Sequence, residues 1–261
     1  MQRFLTLIAL ISLLAAFCGL PASARDIGRQ QAATPGGGWS YQGETGPEHW
    51  DRLSVDFDAC RSGRQQSPVD ISNRWPGHLP PLSFQYRSSY LSMLNDGHTI
   101  RVLYEPGSFL RIAGQRYELL EFHFHTPSEH TFQGVPADME IHLVHRDGYG
   151  HYAIVAIPVV AGRRHNVVMA RIGQNLPPYP GEEYADYRTG IKPIFLLPTN
   201  REYVSYPGSL TEPPCTEGVQ WLVFLHPVEV SAEYVGRIRQ IMGNNARPIQ
   251  PLNDRRLTAS Q

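Results

Sequence analysis

The sequence predicts a mainly β fold. Runs of β-branched and aromatic residues, several of them alternating with polar ones, are bounded by glycine, proline or polar turns. The 23 glycines and 22 prolines are spread along the 261 residues, which favours many short segments joined by turns over a helical bundle. Helix signals are scarce by comparison.

Taken in chain order, the predicted strands are RYELLEFHFH, MEIHLVHR, HYAIVAIPVV and VQWLVFLHPVEV. The segment TPSEHTFQGVPAD joins the first two, which is long for a hairpin loop but compatible with neighbouring antiparallel strands. The best helix candidate is SAEYVGRIRQIMG, where Ser231 can cap the start and Gly243 can end the helix. Its apolar stripe comprises Tyr234, Val235, Ile238, Ile241 and Met242.

The first 24 residues have the layout of a secretory signal peptide. Arg3 precedes a long apolar run, and small residues at positions 22 and 24 precede an expected cleavage before Arg25. An uncleaved membrane anchor and a lipid-modified Cys18 are the alternatives. We expect residues 25–38 to be a flexible lead-in and residues 39–261 to form the folded domain.

Export predicts an oxidising location, periplasmic or secreted. Loss of Cys18 with the signal peptide leaves Cys60 and Cys215, for which a disulfide is predicted and two separate buried thiols are the alternative. Acidic and basic residues number 24 and 23, so no basic field for nucleic acid is present. We expect no nucleic-acid partner and no stable membrane association after signal cleavage.

The segment LLEFHFHTPSEHTFQG places histidines at alternate positions of a predicted strand. Side chains alternate between faces, so His123 and His125 share one face, and Glu140, His142 and Val144 share a face of the next strand. Three neutral imidazoles on adjacent strands suit zinc, with the fourth tetrahedral position left for water. Ordinary buried histidines bonded to the backbone are the alternative.

Two glutamates accompany these histidines. Glu121 and Glu140 precede His123 and His142 by two residues and share their faces. Each can accept a hydrogen bond from an imidazole N–H and so orient a metal ligand. The alternative is that both are solvated surface carboxylates.

Several segments, taken together, are more specific for one protein family than any one of them alone. They are GPEHW, QQSPVDI, LNDGH, FHFHTPSEHT, EIHLVHR, YPGSLTEPPCTEGVQW and RPIQPLNDR. In this order, from about Trp39 to Leu257, they resemble the alpha-class carbonic anhydrases of the secreted bacterial kind. The resemblance implies a single catalytic domain over residues 39–261, built around a large twisted, mostly antiparallel central β-sheet with short peripheral helices.

The same resemblance implies an activity and its metal site. The activity is the reversible hydration of carbon dioxide to bicarbonate and a proton by attack of zinc-bound hydroxide. Zinc would be held by His123, His125 and His142. Thr211 would accept a hydrogen bond from the hydroxide and donate its own proton to Glu129.

Other matched positions concern the proton and the substrate. His98 corresponds to the proton shuttle, and Tyr41 to a pocket tyrosine that orders the connecting waters. The apolar wall for carbon dioxide corresponds to Val144, Ile154, Leu210, Val219 and Trp221. We expect a monomer or a homodimer.

Three acidic residues depart from the usual family pattern. Glu121 stands where glutamine is usual, and its charge would make His123 more basic. Glu212 replaces a threonine or histidine; it would either disfavour bicarbonate and anionic inhibitors or act as an additional proton acceptor. Asp96 replaces an asparagine beside the shuttle and would change the pKa of His98.

Two other functions are compatible with parts of the sequence. A non-catalytic zinc-binding family member would retain the histidines without turnover. A cupin-like metal oxygenase would use the H-x-H-x3-E spacing, with Glu129 as a ligand beside His123 and His125. The glycines expected around that motif are misplaced, and the segment GSLTEPP would have no role.

Overall fold

The computed structural model describes residues 38–260 of the chain. The predicted signal peptide and all but the last residue of the predicted lead-in lie outside this part. Among residues 38–260, no helix is both long and apolar enough to cross a membrane.

The described residues form short and medium-length strands with few helices. The strands are β1 (Arg74–Pro76), β2 (Ser83–Gln85), β3 (Ser89–Asn95), β4 (Ile100–Leu103), β5 (Phe109–Ile112), β6 (Gln115–His125), β7 (Thr131–Phe132), β8 (Val135–Pro136), β9 (Met139–Arg146), β10 (Tyr152–Gly162), β11 (Glu183–Ile191), β12 (Tyr203–Ser209), β13 (Glu217–Phe224), β14 (Val228–Ser231) and β15 (Leu257–Ala259). The α-helices are α1 (Trp50–Leu53), α2 (Ala59–Ser62), α3 (Val167–Gln174) and α4 (Ala232–Met242). Single 3₁₀ turns lie at Gly43–Thr45, Val55–Phe57 and Pro193–Leu196.

One large mixed sheet dominates the fold. Its main path runs β1-β15-β12-β13-β10-β9-β6-β4-β3-β11, with β14 beside β10 and the pair β2–β5 beside β6. Most neighbours are antiparallel, and the parallel pairs are β1 with β15 and β10 with β13 and β14. The prediction of a mainly β, mostly antiparallel fold is confirmed.

The predicted strands coincide with β6, β9 and β10 to within a few residues. The fourth predicted run is two strands, because β13 ends at Phe224 and β14 begins at Val228. Pro227 lies between them and has no backbone N–H for a ladder. The segment that joins β6 to β9 folds back as the small hairpin β7–β8.

Helix α4 occupies the predicted helical segment. Tyr234, Val235 and Ile238 are buried, and Gly243 follows the helix with a positive φ of 67°, which glycine adopts without steric cost. Ser231 stands at the N-cap position, but its side chain makes no capping hydrogen bond. The prediction of a Ser231 cap is therefore wrong.

The two faces of the sheet bury different clusters. Ile141 and Leu143 of β9 belong to the larger cluster, which also contains residues of α3 and α4. Val144 belongs to a smaller cluster on the opposite face, together with Ile154 and Trp221. Fully burying an aliphatic side chain of this kind contributes about 1.5–3 kcal/mol. His123 and His125 of β6 and His142 of β9 share the face of the smaller cluster, whereas His145 of β9 lies on the other face.

A disulfide joins the N-terminal helices to the sheet. Cys60 in α2 is bonded to Cys215, with 5.0 Å between their Cα atoms and 155 residues between them in sequence. Both cysteines are buried against Trp50. The predicted pairing is confirmed, and it ties the loop after Thr211 to the start of the described chain.

Candidate metal centre

Three histidines meet on one face of the sheet. His123 of β6 lies directly opposite His142 of β9 in the antiparallel register, and His125 follows two residues later on the same face. All three are buried, and one ring nitrogen of each lies within 4.8 Å of those of the other two. Alternate spacing along one strand and pairing with the next therefore produce one compact group of imidazoles.

Carboxylates orient two of the rings. Nδ1 of His123 lies 2.9 and 3.1 Å from the two carboxylate oxygens of Glu121, and Nε2 of His142 lies 2.6 Å from Oε1 of Glu140. An ionised carboxylate can only accept, so each of these ring nitrogens carries the hydrogen. Nε2 of His123 and Nδ1 of His142 are left with a lone pair.

A fourth histidine holds Glu140. His130 donates to it from its backbone N–H at 3.0 Å and from its ring Nδ1 at 2.7 Å. Burial alone would raise the pKa of Glu140, but the interaction with His130 and the hydrogen bonds outweigh it, and the pKa lies well below its usual value. His130, Glu140 and His142 are also close enough together for a metal, but the oxygens of Glu140 are already engaged.

The backbone orients the third ring. The carbonyl oxygen of Asn245 lies 2.8 Å from Nδ1 of His125, whereas the buried Nε2 of that ring has no hydrogen-bond partner among residues 38–260. Burial lowers the pKa of His123, His125 and His142 to about 4 in each case. All three are therefore neutral at neutral pH, the form that binds zinc. An orphaned nitrogen beside two others with free lone pairs fits a metal held by three imidazoles.

A threonine and a glutamate lie at the edge of this group. Oε2 of Glu129 is 3.5 Å from Nε2 of His125, and Oε1 accepts from the backbone N–H of Arg247 at 2.9 Å. Burial raises the pKa of Glu129 to about 7, although the interactions with the His125 ring and the Thr211 hydroxyl both act to lower it. Oε2 of Glu129 has no hydrogen-bond partner of good geometry in the described chain.

His98 lies against an aromatic surface. Its ring stacks on Trp39 with 3.6 Å between the centroids, and its backbone N–H donates to Asp96 at 2.9 Å. Burial lowers the pKa of His98 by more than the charges of Asp96 and Glu212 raise it. Tyr41 packs edge-on against Trp39 at 5.4 Å, and burial, followed by the charge of Glu212, places its pKa well above its usual value.

The predicted apolar wall is a single packed surface. Trp221 packs against His142 with 4.9 Å between the ring centroids, so the wall adjoins the histidine group. The members are the buried side chains of Val144, Ile154, Val219 and Trp221, with Leu210 partly buried against them.

A buried arginine joins the three acidic positions that depart from the family pattern. Nε of Arg101, in β4, lies 2.6 Å from Asp96 Oδ2, and Nη2 lies 2.6 Å from Glu212 Oε1. Its Nη1 lies 3.4 Å from Glu121 Oε1. Burial raises the pKa of Glu121 to about 7 even though Arg101 lowers it. The three departures are thus parts of one ion-paired cluster beside the histidines.

Comparison with known proteins identifies the family. The sequence profile of eukaryotic-type carbonic anhydrases matches residues 45–261. The chain belongs to this family. A carbonic anhydrase of Nostoc sp. is 40% identical over 222 residues, covering 83% of this chain and 84% of the relative. One from Pectobacterium carotovorum is 38% identical over 225 residues, covering 86% of this chain and 91% of the relative.

The fold is also that of carbonic anhydrases. An alpha-carbonic anhydrase from Thermovibrio ammonificans, solved with the inhibitor sulfanilamide, superposes with a TM-score of 0.81 at 40% identity. The match covers 84% of this chain and 98% of that one. The resemblance to bacterial alpha-class enzymes is confirmed, and membership of this family removes the cupin-like alternative.

Sequence reasoning missed four residues that shape this carbonic anhydrase site. Arg101 could have been found from its position in the strand-like segment TIRVLY, because a charged side chain in such an apolar run needs a partner of opposite charge. His130 lies in the histidine-rich segment but in the connection between the two predicted strands, where strand alternation assigns it no face. Asn245 contacts His125 through its backbone carbonyl, a group that every residue has, so its identity gave no indication of this role. Trp39 was predicted only to mark the start of the domain.

Proposed function

We propose that this chain catalyses the reversible hydration of carbon dioxide to bicarbonate and a proton, with zinc held by His123, His125 and His142. The observation that carries the proposal is the group of three buried, neutral imidazoles, each with its far nitrogen hydrogen-bonded and its near nitrogen free. Membership of the carbonic anhydrase family supports it. As in carbonic anhydrases generally, bound zinc supplies a Lewis acid that makes water a nucleophile near neutral pH.

The orientation of the rings is the first contribution of the protein. Glu121 and Glu140 accept from two of the imidazoles, and the Asn245 carbonyl accepts from the third. These acceptors fix which ring nitrogen carries the hydrogen, and they hold the ring planes. The imidazole rings therefore lose little conformational freedom when a metal binds. The acceptors also make the ligating nitrogens more basic.

Thr211 and Glu129 orient the attacking water. Ionised Glu129 can only accept, so it draws the Thr211 O–H towards itself and leaves the threonine lone pair facing the histidine group. A water that donates to that lone pair has its own lone pair free for the substrate carbon.

The apolar wall binds the substrate without polar contacts. Carbon dioxide has no net charge, so Val144, Val219 and Trp221 can hold it while offering water nothing to bond. Ile154 and Leu210 extend the same surface. A wall of this kind keeps competing water away from the reacting carbon.

His98 carries the proton to solvent. Histidine is the side chain whose ordinary pKa lies nearest neutral pH, which suits it to proton transfer, and burial shifts the pKa of His98 downwards. Its ring lies on Trp39, and Tyr41 is on the same aromatic surface, where its hydroxyl can order waters between the histidine and the metal.

We further propose that the chain is exported. Residues 1–24 would be removed as a signal peptide, residues 25–38 would form a flexible lead-in, and residues 39–261 would be the catalytic domain. The Cys60–Cys215 disulfide is typical of an oxidising compartment and supports a periplasmic or secreted location. The expected small-molecule partners are carbon dioxide and bicarbonate.

Stopped-flow hydration of carbon dioxide by the purified protein tests the proposal. The expected result is an activity that scales with bound zinc, disappears with a chelator and returns when zinc is added. Tight zinc binding without hydration would instead indicate a non-catalytic zinc-binding family member. Activity that survives complete removal of metal would contradict the assigned mechanism.

A further inference from the structure

The role of Glu212 depends on what holds it. Its Oε1 lies 2.6 Å from Nη2 of Arg101, and the same guanidinium is anchored through Nε by Asp96, also at 2.6 Å. Asp96 in turn accepts the backbone N–H groups of His98 and Thr99 at 2.9 and 2.7 Å. Arg101 is therefore fixed at one end by the turn that carries His98, and it presents its other end to Glu212.

Glu212 is the most exposed member of this cluster. Its side chain is 17% exposed, against 8% for Arg101 and Asp96 and 12% for Glu121. Its negative charge acts to raise the pKa of Tyr41, of His98 and of His123. These residues belong to the pocket, the proposed proton path and the metal ligands, so the charge of Glu212 reaches all three.

The cluster carries more negative than positive charge. Burial acts to raise the pKa of Asp96, but Arg101 and the backbone N–H groups lower this pKa by more. The carboxyl group of Asp96 is therefore ionised. The carboxylates of Asp96, Glu212 and Glu121 all lie against the one guanidinium of Arg101. Arg101 thus compensates the cluster only in part, and Glu212 is its most exposed carboxylate.

We propose that Arg101 is a positioning residue that holds the Glu212 carboxylate beside the histidine group, where its charge disfavours bicarbonate and other anions. Neutral carbon dioxide is unaffected by that charge. The inference rests on the proposed function for the identity of the substrate. Of the two roles open to Glu212 it assigns the exclusion of anions, because the carboxylate is already engaged by the guanidinium of Arg101.

Thiocyanate binding to the cobalt-substituted protein, followed by visible absorption, tests this inference without turnover. Glu212→Gln keeps the shape and the oxygen that accepts from Arg101 but removes one negative charge, and it is expected to bind thiocyanate about tenfold more tightly. The double variant Arg101→Gln/Glu212→Gln removes one charge of each sign and is expected to return to within about threefold of the wild type. Glu183→Gln, an exposed carboxylate on the edge strand β11, is the matched control for protein net charge and should change nothing.

The outcomes separate the possible roles of the cluster. An unchanged thiocyanate affinity in Glu212→Gln overturns the proposal, as does a double variant that binds as tightly as the single one. Slower turnover of Glu212→Gln in weak buffer with unaltered anion affinity assigns the proton-acceptor role instead. Because the spectrum reports binding alone, the predicted tightening in a protein that does not hydrate carbon dioxide refutes the proposed function and leaves this inference standing.

Discussion

Glu140 provides the most decisive test of how the metal ligands are held. The Glu140→Gln variant keeps the size of the side chain but replaces an acceptor-only carboxylate with a group that also donates. Glu140 accepts from His142 Nε2 at 2.6 Å, from His130 Nδ1 at 2.7 Å and from the His130 backbone N–H at 3.0 Å. The amide oxygen of glutamine can replace only part of this set, and its NH₂ group meets a donor.

The size of the effect follows from these contacts. Hydrogen bonds to a buried charge contribute about 1.5–3 kcal/mol each, so losing one or two should lower the unfolding free energy of the metal-free protein by roughly 2–5 kcal/mol. Loss of an acceptor behind a metal-binding histidine typically costs about 10–100-fold in metal affinity. Glu121→Gln is the matched variant, because Glu121 has one histidine partner and an amide oxygen can still accept from His123.

Two measurements check the prediction. Urea unfolding of the metal-free proteins reports stability, and zinc competition against a chromogenic chelator at constant pH reports affinity. We expect Glu140→Gln to lose more of both than Glu121→Gln. A zinc affinity of Glu140→Gln within about twofold of the wild type, or a larger loss in Glu121→Gln, would refute the orienting role assigned to Glu140.

Three further predictions address the proton path, a buried histidine and the disulfide. His142→Ala should abolish zinc retention, whereas His98→Ala should retain zinc and slow hydration only in weak buffer; equal zinc loss in both, by metal analysis, would contradict these roles. Burial lowers the pKa of His145 to about 3. Between about pH 6.5 and 3 only the unfolded chain therefore binds this proton, and the unfolding free energy should decrease as the pH is lowered, by up to ~1.4 kcal/mol per pH unit. His145→Gln should flatten this fall in urea titrations, and parallel curves would show that His145 does not contribute. Replacing both Cys60 and Cys215 with serine opens a loop of 155 residues and should lower the unfolding free energy by up to about 5 kcal/mol, measured by urea unfolding against the oxidised wild type; an unchanged midpoint would contradict it.

The histidine group could be predicted because strands have a period of two. His123 and His125 must share a face, and pairing β6 with β9 brings His142 opposite His123. The same alternation places Glu121 and Glu140 beside their histidines. Local spacing and one strand pairing are enough for these contacts.

The Arg101 cluster could not be predicted in the same way. Asp96, Glu121 and Glu212 come from three segments, and each was recognised separately as an unusual acidic residue. Their common partner, Arg101, contacts them through a long side chain whose position in the fold no sequence spacing encodes. Ser231 shows that a favourable residue type does not by itself establish a contact. It stands at the N-cap position of α4, but its side chain makes no capping hydrogen bond.

Anomalous diffraction at the zinc edge from crystals of the zinc-loaded protein tests the ligand set most directly. We expect a single strong peak bonded to Nε2 of His123, Nε2 of His125 and Nδ1 of His142, with the Thr211 hydroxyl on its open side. A peak bonded instead to His130, Glu140 and His142, the other group close enough to hold a metal, would contradict the account.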